Sequence, residues 1–177
     1  MFRNVEYLKS GNVKQRNAYQ VIKNLGIMKT LSEFHPILCG TLPIGIDIEG
    51  SDLDIIMEVN DFNRFENRVI TLFGDRENFK LKRVVIRNIP VIKANFLLEG
   101  FEFELFGQPQ PSNRQYAYLH MIIENAIMEK CSSIREKVIN LKKQGFKTEP
   151  AFCTVLGLDG DPYEKLIEYG KANGMID

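Results

Sequence analysis

Hydrophobic positions recur at helical spacing early in the chain and alternate with polar positions soon afterwards. Between Val13 and Leu25 the apolar residues fall three and four positions apart, which predicts an amphipathic helix. Residues 37–39 form a short apolar run that predicts a strand. Residues 53–59 alternate apolar and polar side chains, which predicts a strand with one buried face.

The middle of the chain continues the pattern with a helix and three β-rich runs. The pair Asn60-Asp61 can cap a helix over residues 62–73. The β-rich runs are separated only by Asn-Ile-Pro and Glu-Gly, and they lie at residues 80–88, 90–98 and 101–107. Breaks this short predict an antiparallel meander.

From residue 108 onward the pattern is helical. Two prolines precede Ser112, and Gln115 follows three positions later, which predicts a capping box that opens a helix ending near Lys130. Further helix starts are predicted at Ser132 or Ser133, at Thr148 and at Asp161-Pro162. Strands and helices occur in blocks, so we predict an α+β fold with a mixed β-sheet, flanking helices and a C-terminal helical tail.

Composition and charge narrow the class of protein. The chain has 177 residues, 44% of them hydrophobic, and its 23 basic and 23 acidic residues cancel. It is therefore expected to bury a core, and no global field would attract nucleic acid or an anionic membrane. The start of the chain lacks the apolar segment of a secretory signal, and no run reaches the roughly 18 apolar residues of a membrane span. We expect a cytoplasmic protein without a membrane partner.

The three cysteines do not suggest a disulfide framework or a thiolate zinc site. Cys39, Cys131 and Cys153 are odd in number and far apart, and none has a second cysteine two or three positions away. We expect three reduced thiols, mostly buried.

Two acids flank one leucine where the second strand begins. Asp52 and Asp54 would point to the same side of that strand, about 6 to 7 Å apart, with Leu53 facing the core. Two carboxylates on one face repel each other unless a cation lies between them. Mg²⁺ (or Mn²⁺) prefers oxygen ligands, and one or two carboxylates together with substrate phosphates commonly hold it.

Other residues supply a phosphate cradle and a further acid. Gly40 and Thr41 follow a strand, where a glycine lets backbone N–H groups approach a phosphate and a hydroxyl can donate to it, and Ser51 is a second hydroxyl. Glu102 and Glu104 share one face of the last predicted strand. Either glutamate could lie beside the two aspartates if its strand neighbours theirs.

The pattern Gly40-Thr41, then Gly45, then Ser51-Asp52-Leu53-Asp54 resembles the nucleotidyltransferase signature. The resemblance covers about residues 14–108 and implies a polymerase-β-like palm that transfers a nucleoside monophosphate from a nucleoside triphosphate with Mg²⁺. It further implies residues 1–108 as the palm and 109–177 as a helical region packed on it.

Longer strings are similar to one family of small bacterial proteins of unknown function within that superfamily. They are "GTLPIGIDIEGSDLDI", "FELFGQPQP", "YLHMIIE" and "KTEPAFCTVLGLDGDPY". Because "ELFGQ" matches that family, we take Glu104 as the third carboxylate, with Asp52 and Asp54, for catalysis and metal binding. Leu42 and Ile44 stand where minimal members often carry arginine, which removes positive charge near the phosphates.

Two further groups of residues allow a structural or a functional interpretation. Lys80, Lys82, Arg83, Arg87 and Lys93 are either an ordinary charged sheet face or a source of cations for a triphosphate, with Lys93 as the best candidate for nucleotide binding. Tyr116, His120 and Glu124 form one helical stripe. That stripe is either a polar flank or, through Tyr116 and His120, a substrate contact.

Two functional classes follow. The leading prediction is an enzyme that transfers a nucleoside monophosphate to an unknown acceptor, which is a small molecule, a protein or RNA. The alternative is a non-catalytic nucleotide-binding or regulatory module with the same fold. The acids favour the enzyme, and the missing arginines favour the module.

Overall fold

The computed structural model describes residues 2–177. Within that range it contains seven α-helices: α1 Val13–Leu25, α2 Ile27–Thr30, α3 Phe62–Phe73, α4 Tyr116–Lys130, α5 Ser133–Lys143, α6 Thr148–Leu156 and α7 Pro162–Ala172. The described strands are β1 Ile37–Cys39, β2 Leu53–Glu58, β3 Glu77–Ile86, β4 Ile89–Leu98 and β5 Phe101–Gln108.

The strands form one mixed sheet in the order β1-β2-β5-β4-β3. The three consecutive strands β3, β4 and β5 are antiparallel neighbours, as the short breaks between them predicted. β2 pairs with β1 in the antiparallel sense and with β5 in the parallel sense. The prediction of an α+β fold with a mixed sheet is confirmed, and the parallel pair brings the acidic start of β2 beside β5.

One face of the sheet packs on α1 and α3. Leu53, Ile55 and Met57 of β2 lie in that core and are fully buried. The rings of Phe96 and Phe103, on adjacent strands, stack with centroids 4.9 Å apart. Large buried aromatic and aliphatic side chains of this kind supply most of the hydrophobic stabilisation.

The opposite face is covered in part by α4 to α7. Ile56, on the same side of β2 as Asp54, is buried in a second core with Met121 and Ile123 of α4 and Leu166 of α7. The prediction that one face of β2 is buried is confirmed by Leu53, Ile55 and Met57, and the helical tail in addition covers Ile56 on the other face. The domain boundary at residues 108/109 stays a prediction, since this core contains residues from both sides of it.

The predicted helix start at Ser112 was wrong. α4 begins at Tyr116, after a short 3₁₀ turn over Ser112–Arg114, and no capping box forms. Ser112 Oγ instead donates to the carbonyl of His35, 2.7 Å away, and Gln115 Nε2 donates to the carbonyl of Met57. These tertiary bonds tie the segment after β5 back to the sheet, so the side chains are not available to cap the helix.

The other predicted helix starts agree more closely with the structure. Thr148 is the first residue of α6 and does not cap it, because Lys147 occupies the cap position. The caps at Asp61 and Asp161 are confirmed, since each side chain accepts a backbone N–H of the helix that follows.

All three cysteines are free, and Cys39 and Cys153 are buried. Cys131 is exposed at the end of α4, so the prediction of reduced and mostly buried thiols is confirmed.

No helix within residues 2–177 is both long and apolar enough to cross a membrane.

Candidate functional site

A cavity of about 950 Å³ separates the acidic edge of the sheet from the helical tail. One wall comes from the strands and carries Asp52, Asp54, Lys93 and Glu104. The other wall comes from α4, the start of α6 and the start of α7, and it carries Tyr116, His120, Glu124, Glu149 and Tyr163. The space can hold a nucleotide-sized ligand, because ligand pockets commonly range from about 300 to 1,000 Å³.

Strand pairing places the predicted third carboxylate beside the aspartates. Asp54 of β2 is the register partner of Glu104 of β5. Neighbouring strands lie about 4.8 Å apart, and directly paired residues point to the same side. Asp52 lies two positions before Asp54 and lines the same cavity. The structure thus brings Asp52, Asp54 and Glu104 together, while their catalytic and metal-binding roles stay predictions.

Burial and mutual repulsion perturb the two aspartates. Burial raises the pKa of Asp54 to about 8, and the negative charges of Asp52 and Glu104 add to the shift. The pKa of Asp52 is also raised, first by burial and then by Glu104 and Glu102. Both carboxylates are partly buried. A pair of carboxyl groups in this state favours an added cation.

Gly40 makes room for Asp54. It follows β1 with φ +81°, a conformation that favours glycine, and a Cβ there would lie 2.2 Å from Asp54 Oδ2. The close approach of backbone and carboxylate therefore requires a residue without a side chain. Gly40 lines the cavity, as expected for a residue near a phosphate.

The loop from Thr41 to Asp52 is held from outside by polar side chains. Gln15 Nε2 donates to the carbonyl of Leu42, Arg135 Nη1 to those of Ile44 and Gly45, and Lys142 Nζ to that of Ile46. Because these donors come from α1 and α5, the loop before β2 depends on both the N-terminal part and the tail.

The two predicted hydroxyl contacts lie in this loop and are not among the described residues that line the cavity. Ser51 Oγ accepts the backbone N–H of Ile48, 2.9 Å away, so it closes a turn before β2. The carbonyl of Thr41 accepts the N–H of Ile46. Leu42 and Ile44 stand where minimal nucleotidyltransferases often carry arginine, and both side chains are buried in the hydrophobic cores. Nucleotide binding by Thr41 and Ser51 stays a prediction.

Lys93 and Glu104 form an ion pair, with Lys93 Nζ 2.6 Å from Glu104 Oε2. Lys93 is thus the cation nearest to the acids. Glu102, the alternative to Glu104, lies instead in a shallow depression with Lys80 and Lys82, and it accepts a long hydrogen bond from Asn95. Arg83 points to the other side of the sheet and pairs with Glu66. The basic residues of the meander therefore do not form one patch.

The helical stripe faces the cavity and is not a solvated flank. His120 and Glu124 are each only 3% exposed, whereas Tyr116 is 37% exposed at the rim. His120 Nε2 contacts the carbonyl of Tyr163 at 2.9 Å, and its Nδ1 lies 3.4 Å from Glu149 Oε1. Removal of the imidazole is thus expected to cost stability. Substrate contacts by Tyr116 and His120 stay predictions.

Sequence reasoning missed the clamp at the mouth of the cavity. Arg87, in the turn between β3 and β4, pairs with Glu164 and Asp161 of the α7 start and lies over the rings of Tyr116 and Tyr163, with its Cζ 5.5 and 5.0 Å from their centroids. The string containing Asp161, Tyr163 and Glu164 offered a family signal, but no local pattern linked it to a hairpin about 75 residues away.

The donor set suits a hard divalent cation. As the side chains are placed in residues 2–177, no group of three His, Cys, Asp or Glu forms a chelating cluster, and the Lys93 ammonium pairs with Glu104. Yet two other carboxyl groups act on Asp54, and Gly40 lets the Asp54 carboxylate approach the backbone closely. Carboxylate oxygens of this kind are the ligands that Mg²⁺ and Mn²⁺ prefer.

Solved structures with a similar fold include polymerases that act on RNA. The polymerase core of TRAMP, a RNA surveillance complex, aligns with TM-score 0.55 over 92% of this chain and 50% of its own, at 14% identity. The GLD-2/RNP-8 complex aligns with TM-score 0.53 over 80% and 56%, at 16% identity. The Cid1 poly(U) polymerase with Mg 3'-dATP bound aligns with TM-score 0.52 over 78% and 45%, at 16% identity.

The fold is thus that of the polymerase-β-like nucleotidyltransferases. The chain spans about half the length of each of these structures. The family model described as Domain of unknown function (DUF4269) matches residues 20–169, and the chain belongs to that family. No curated protein matches the chain. That the family is bacterial stays a prediction.

Proposed function

We propose that the protein transfers a nucleoside monophosphate from a nucleoside triphosphate to an acceptor, with Mg²⁺ or Mn²⁺ held by Asp52, Asp54 and Glu104. The observation that carries this proposal is the register pairing of Asp54 with Glu104 opposite Gly40. Structures of the same fold, described as a poly(U) polymerase and as the polymerase core of an RNA surveillance complex, support the type of reaction. We also propose that the protein acts in the cytoplasm.

In the proposed reaction, an acceptor oxygen bonds to the α-phosphorus and pyrophosphate leaves. The metal, when bound, would neutralise the charge of the triphosphate and polarise the phosphoryl group. Asp52 and Asp54 would hold the metal, and through it the phosphates of the nucleotide. Glu104 completes the ligands or accepts the proton of the attacking group. Lys93 is near enough to turn from Glu104 to a phosphate oxygen, which is consistent with its predicted role in nucleotide binding.

The helical wall completes the site. The strand carboxylates leave one side of the nucleotide open to water, whereas α4 and α7 close that side and bring Tyr116 and His120 into the cavity. An enclosed site orients the acceptor and limits hydrolysis of the triphosphate.

The test is incubation of the protein with each labelled triphosphate, Mg²⁺ and a cell extract, followed by detection of labelled product and released pyrophosphate. Transfer that depends on metal and is lost in Asp54→Asn supports the proposal. Exposed Asp75→Asn is the matched control, since it removes the same charge after α3, away from the cavity.

A non-catalytic nucleotide-binding module is the second candidate. Leu42 and Ile44 are buried, so the loop after Gly40 offers no cationic side chain at these positions to a triphosphate. Metal-dependent triphosphate binding without pyrophosphate release from any extract would favour this module over the enzyme.

A further inference from the structure

A second acidic site lies on the helical wall of the cavity, apart from the strand carboxylates. Glu124 of α4 is only 3% exposed, and its Oε1 has no hydrogen-bond partner within residues 2–177. A buried carboxyl oxygen without a partner costs free energy, so it points to a missing ligand. Glu149, at the start of α6, lines the same part of the cavity.

The charged groups around Glu124 do not satisfy it. Lys142 Nζ donates to the carbonyl of Ile46, and His120 Nδ1 lies beside Glu149. Burial and the charge of Glu149 raise the pKa of Glu124, and Lys142 only partly opposes them. Burial alone would raise the pKa of Glu149, but the hydrogen bond and charge of His120 hold it below its usual range. Lys147 also lines the cavity near this wall.

The cavity as a whole has an excess of negative charge. Its lining contains six carboxyl side chains, Asp52, Asp54, Glu104, Glu124, Glu149 and Glu164, and only the cations Arg87, Lys93 and Lys147. Arg87 and Lys93 are already paired with carboxylates. Two divalent ions and a triphosphate bring charges that roughly cancel, so a filled nucleotide site adds no counter-charge for the carboxyl groups of the helical wall. A cationic acceptor is attracted to such a wall, and a polyanion is repelled.

We propose that Glu124, with Glu149 beside it, binds a protonated amine of the acceptor, so that the acceptor is a small amine-bearing molecule. This proposal rests on the proposed function and names its substrate class. The ammonium donates to the Glu124 carboxylate, whose buried Oε1 has no partner in the protein, while a nucleophile elsewhere on the molecule reaches the strand carboxylates. Glu149 lies close enough to them for its charge to contribute to the raised pKa of Asp54.

The test is a binding titration of the full chain without metal or triphosphate. The probes are spermidine and ethanolamine, each compared with the counterpart in which every amine is N-acetylated. Both amines are expected to bind the parent at least about tenfold more tightly than the acetylated forms, because a hydrogen bond to a charged group is lost on acetylation. Glu124→Gln and Glu149→Gln should each weaken amine binding by about tenfold. Glu129→Gln, an exposed change on the same helix, should leave it unchanged.

Amine affinity should also rise with pH in the parent and lose this rise in Glu124→Gln. The raised pKa means that Glu124 loses its proton only as pH rises, and the ionised form binds the ammonium. The pH dependence of amine affinity distinguishes direct binding by the Glu124 carboxylate from a purely structural role of this side chain.

Three results would overturn the proposal. They are failure of both amines to bind, equal binding of amine and acetylated probes, and parent-like amine binding by Glu124→Gln. A change in preference among triphosphates in Glu124→Gln, with amine binding intact, would assign the carboxyl to base recognition instead. Because this titration contains no nucleotide, its failure leaves the proposed transfer reaction to be judged by its own assay.

Discussion

The two walls of the cavity are built by different means. On the strand wall, Asp54 and Glu104 meet because their strands are hydrogen-bonded in a fixed register. On the helical wall, His120 and Glu124 reach the cavity only because α4 packs across the sheet and α7 packs on α4. The comparison teaches that acids on adjacent strands form a site through backbone geometry, whereas a helical site depends on the packing of the whole tail.

The largest expected effect separates the two glutamates of β5. Glu104→Gln should reduce nucleotidyl transfer by about 100-fold or more while sparing nucleotide binding, since it removes a metal ligand or base. Glu102→Gln is the matched control, because Glu102 faces the shallow depression outside the cavity. Transfer rates of the two variants are compared in the same assay. The reverse ranking would show that the strand wall has been assigned to the wrong carboxyl group.

The second prediction concerns Gly40. Gly40→Ala should weaken metal-coupled triphosphate binding by about tenfold, because its Cβ would displace the Asp54 carboxylate, and it should also lose about 1 to 2 kcal/mol of stability from the positive φ. Gly26→Ala has a similar positive φ with no atom within 4 Å of the new Cβ, so it should lose stability alone. Calorimetric titration and chemical unfolding check both effects. Equal binding by the two variants would contradict the close approach.

The sequence predicted the strand wall better than the helical wall, because strand alternation is a local pattern and helix packing is not. The alternation in β2 and β5 placed Asp52, Asp54 and Glu104 on the faces they occupy. The choice of Glu104 over Glu102 needed the family resemblance, because alternation alone treats them alike. The capping pattern at Ser112 failed because the side chains of Ser112 and Gln115 bond across the fold to His35 and Met57. Local patterns do not contain such long-range partners.

The helical wall was harder to predict for the same reason. The stripe of Tyr116, His120 and Glu124 looked like a polar flank, yet two of its members are buried. Charged and polar residues at helical spacing usually face water, so only the packing of α7 against α4 explains their burial. The clamp formed by Arg87 likewise required a contact between distant parts of the chain.

The third prediction sharpens the electrostatic part of the comparison. The raised pKa of Asp54 means that the folded protein holds this proton more tightly than the unfolded chain, so stability falls as pH rises from about 4 to about 8. Asp54→Asn should therefore be more stable than the parent at pH 8.5, by about 1 to 3 kcal/mol, with little difference near pH 4. Denaturant unfolding at the two pH values measures it. A pH-independent difference would mean that ionisation of the buried Asp54 is not the cause.

The smallest expected effect concerns the rim. Tyr116→Ala should weaken substrate use by about threefold to tenfold, since it removes an aromatic ring from the cavity wall. Tyr116→Phe keeps the ring and loses only the hydroxyl contact to Glu164, which is exposed, so its effect should be smaller. Steady-state kinetics on an identified acceptor distinguish them. If Tyr116→Ala has parent-like kinetics, the stripe contributes to packing alone at this position.

The central claim is that the strand acids form a metal-dependent nucleotide site, and a calorimetric titration of nucleoside triphosphates tests it most directly. The parent is titrated with each triphosphate in Mg²⁺ and again in excess chelator, beside Asp52→Asn and Asp54→Asn. The account predicts that the parent binds at least one triphosphate about tenfold or more tightly with Mg²⁺ and that both variants lose this difference. Metal-independent binding by the parent, or parent-like metal-dependent binding by both variants, would contradict it.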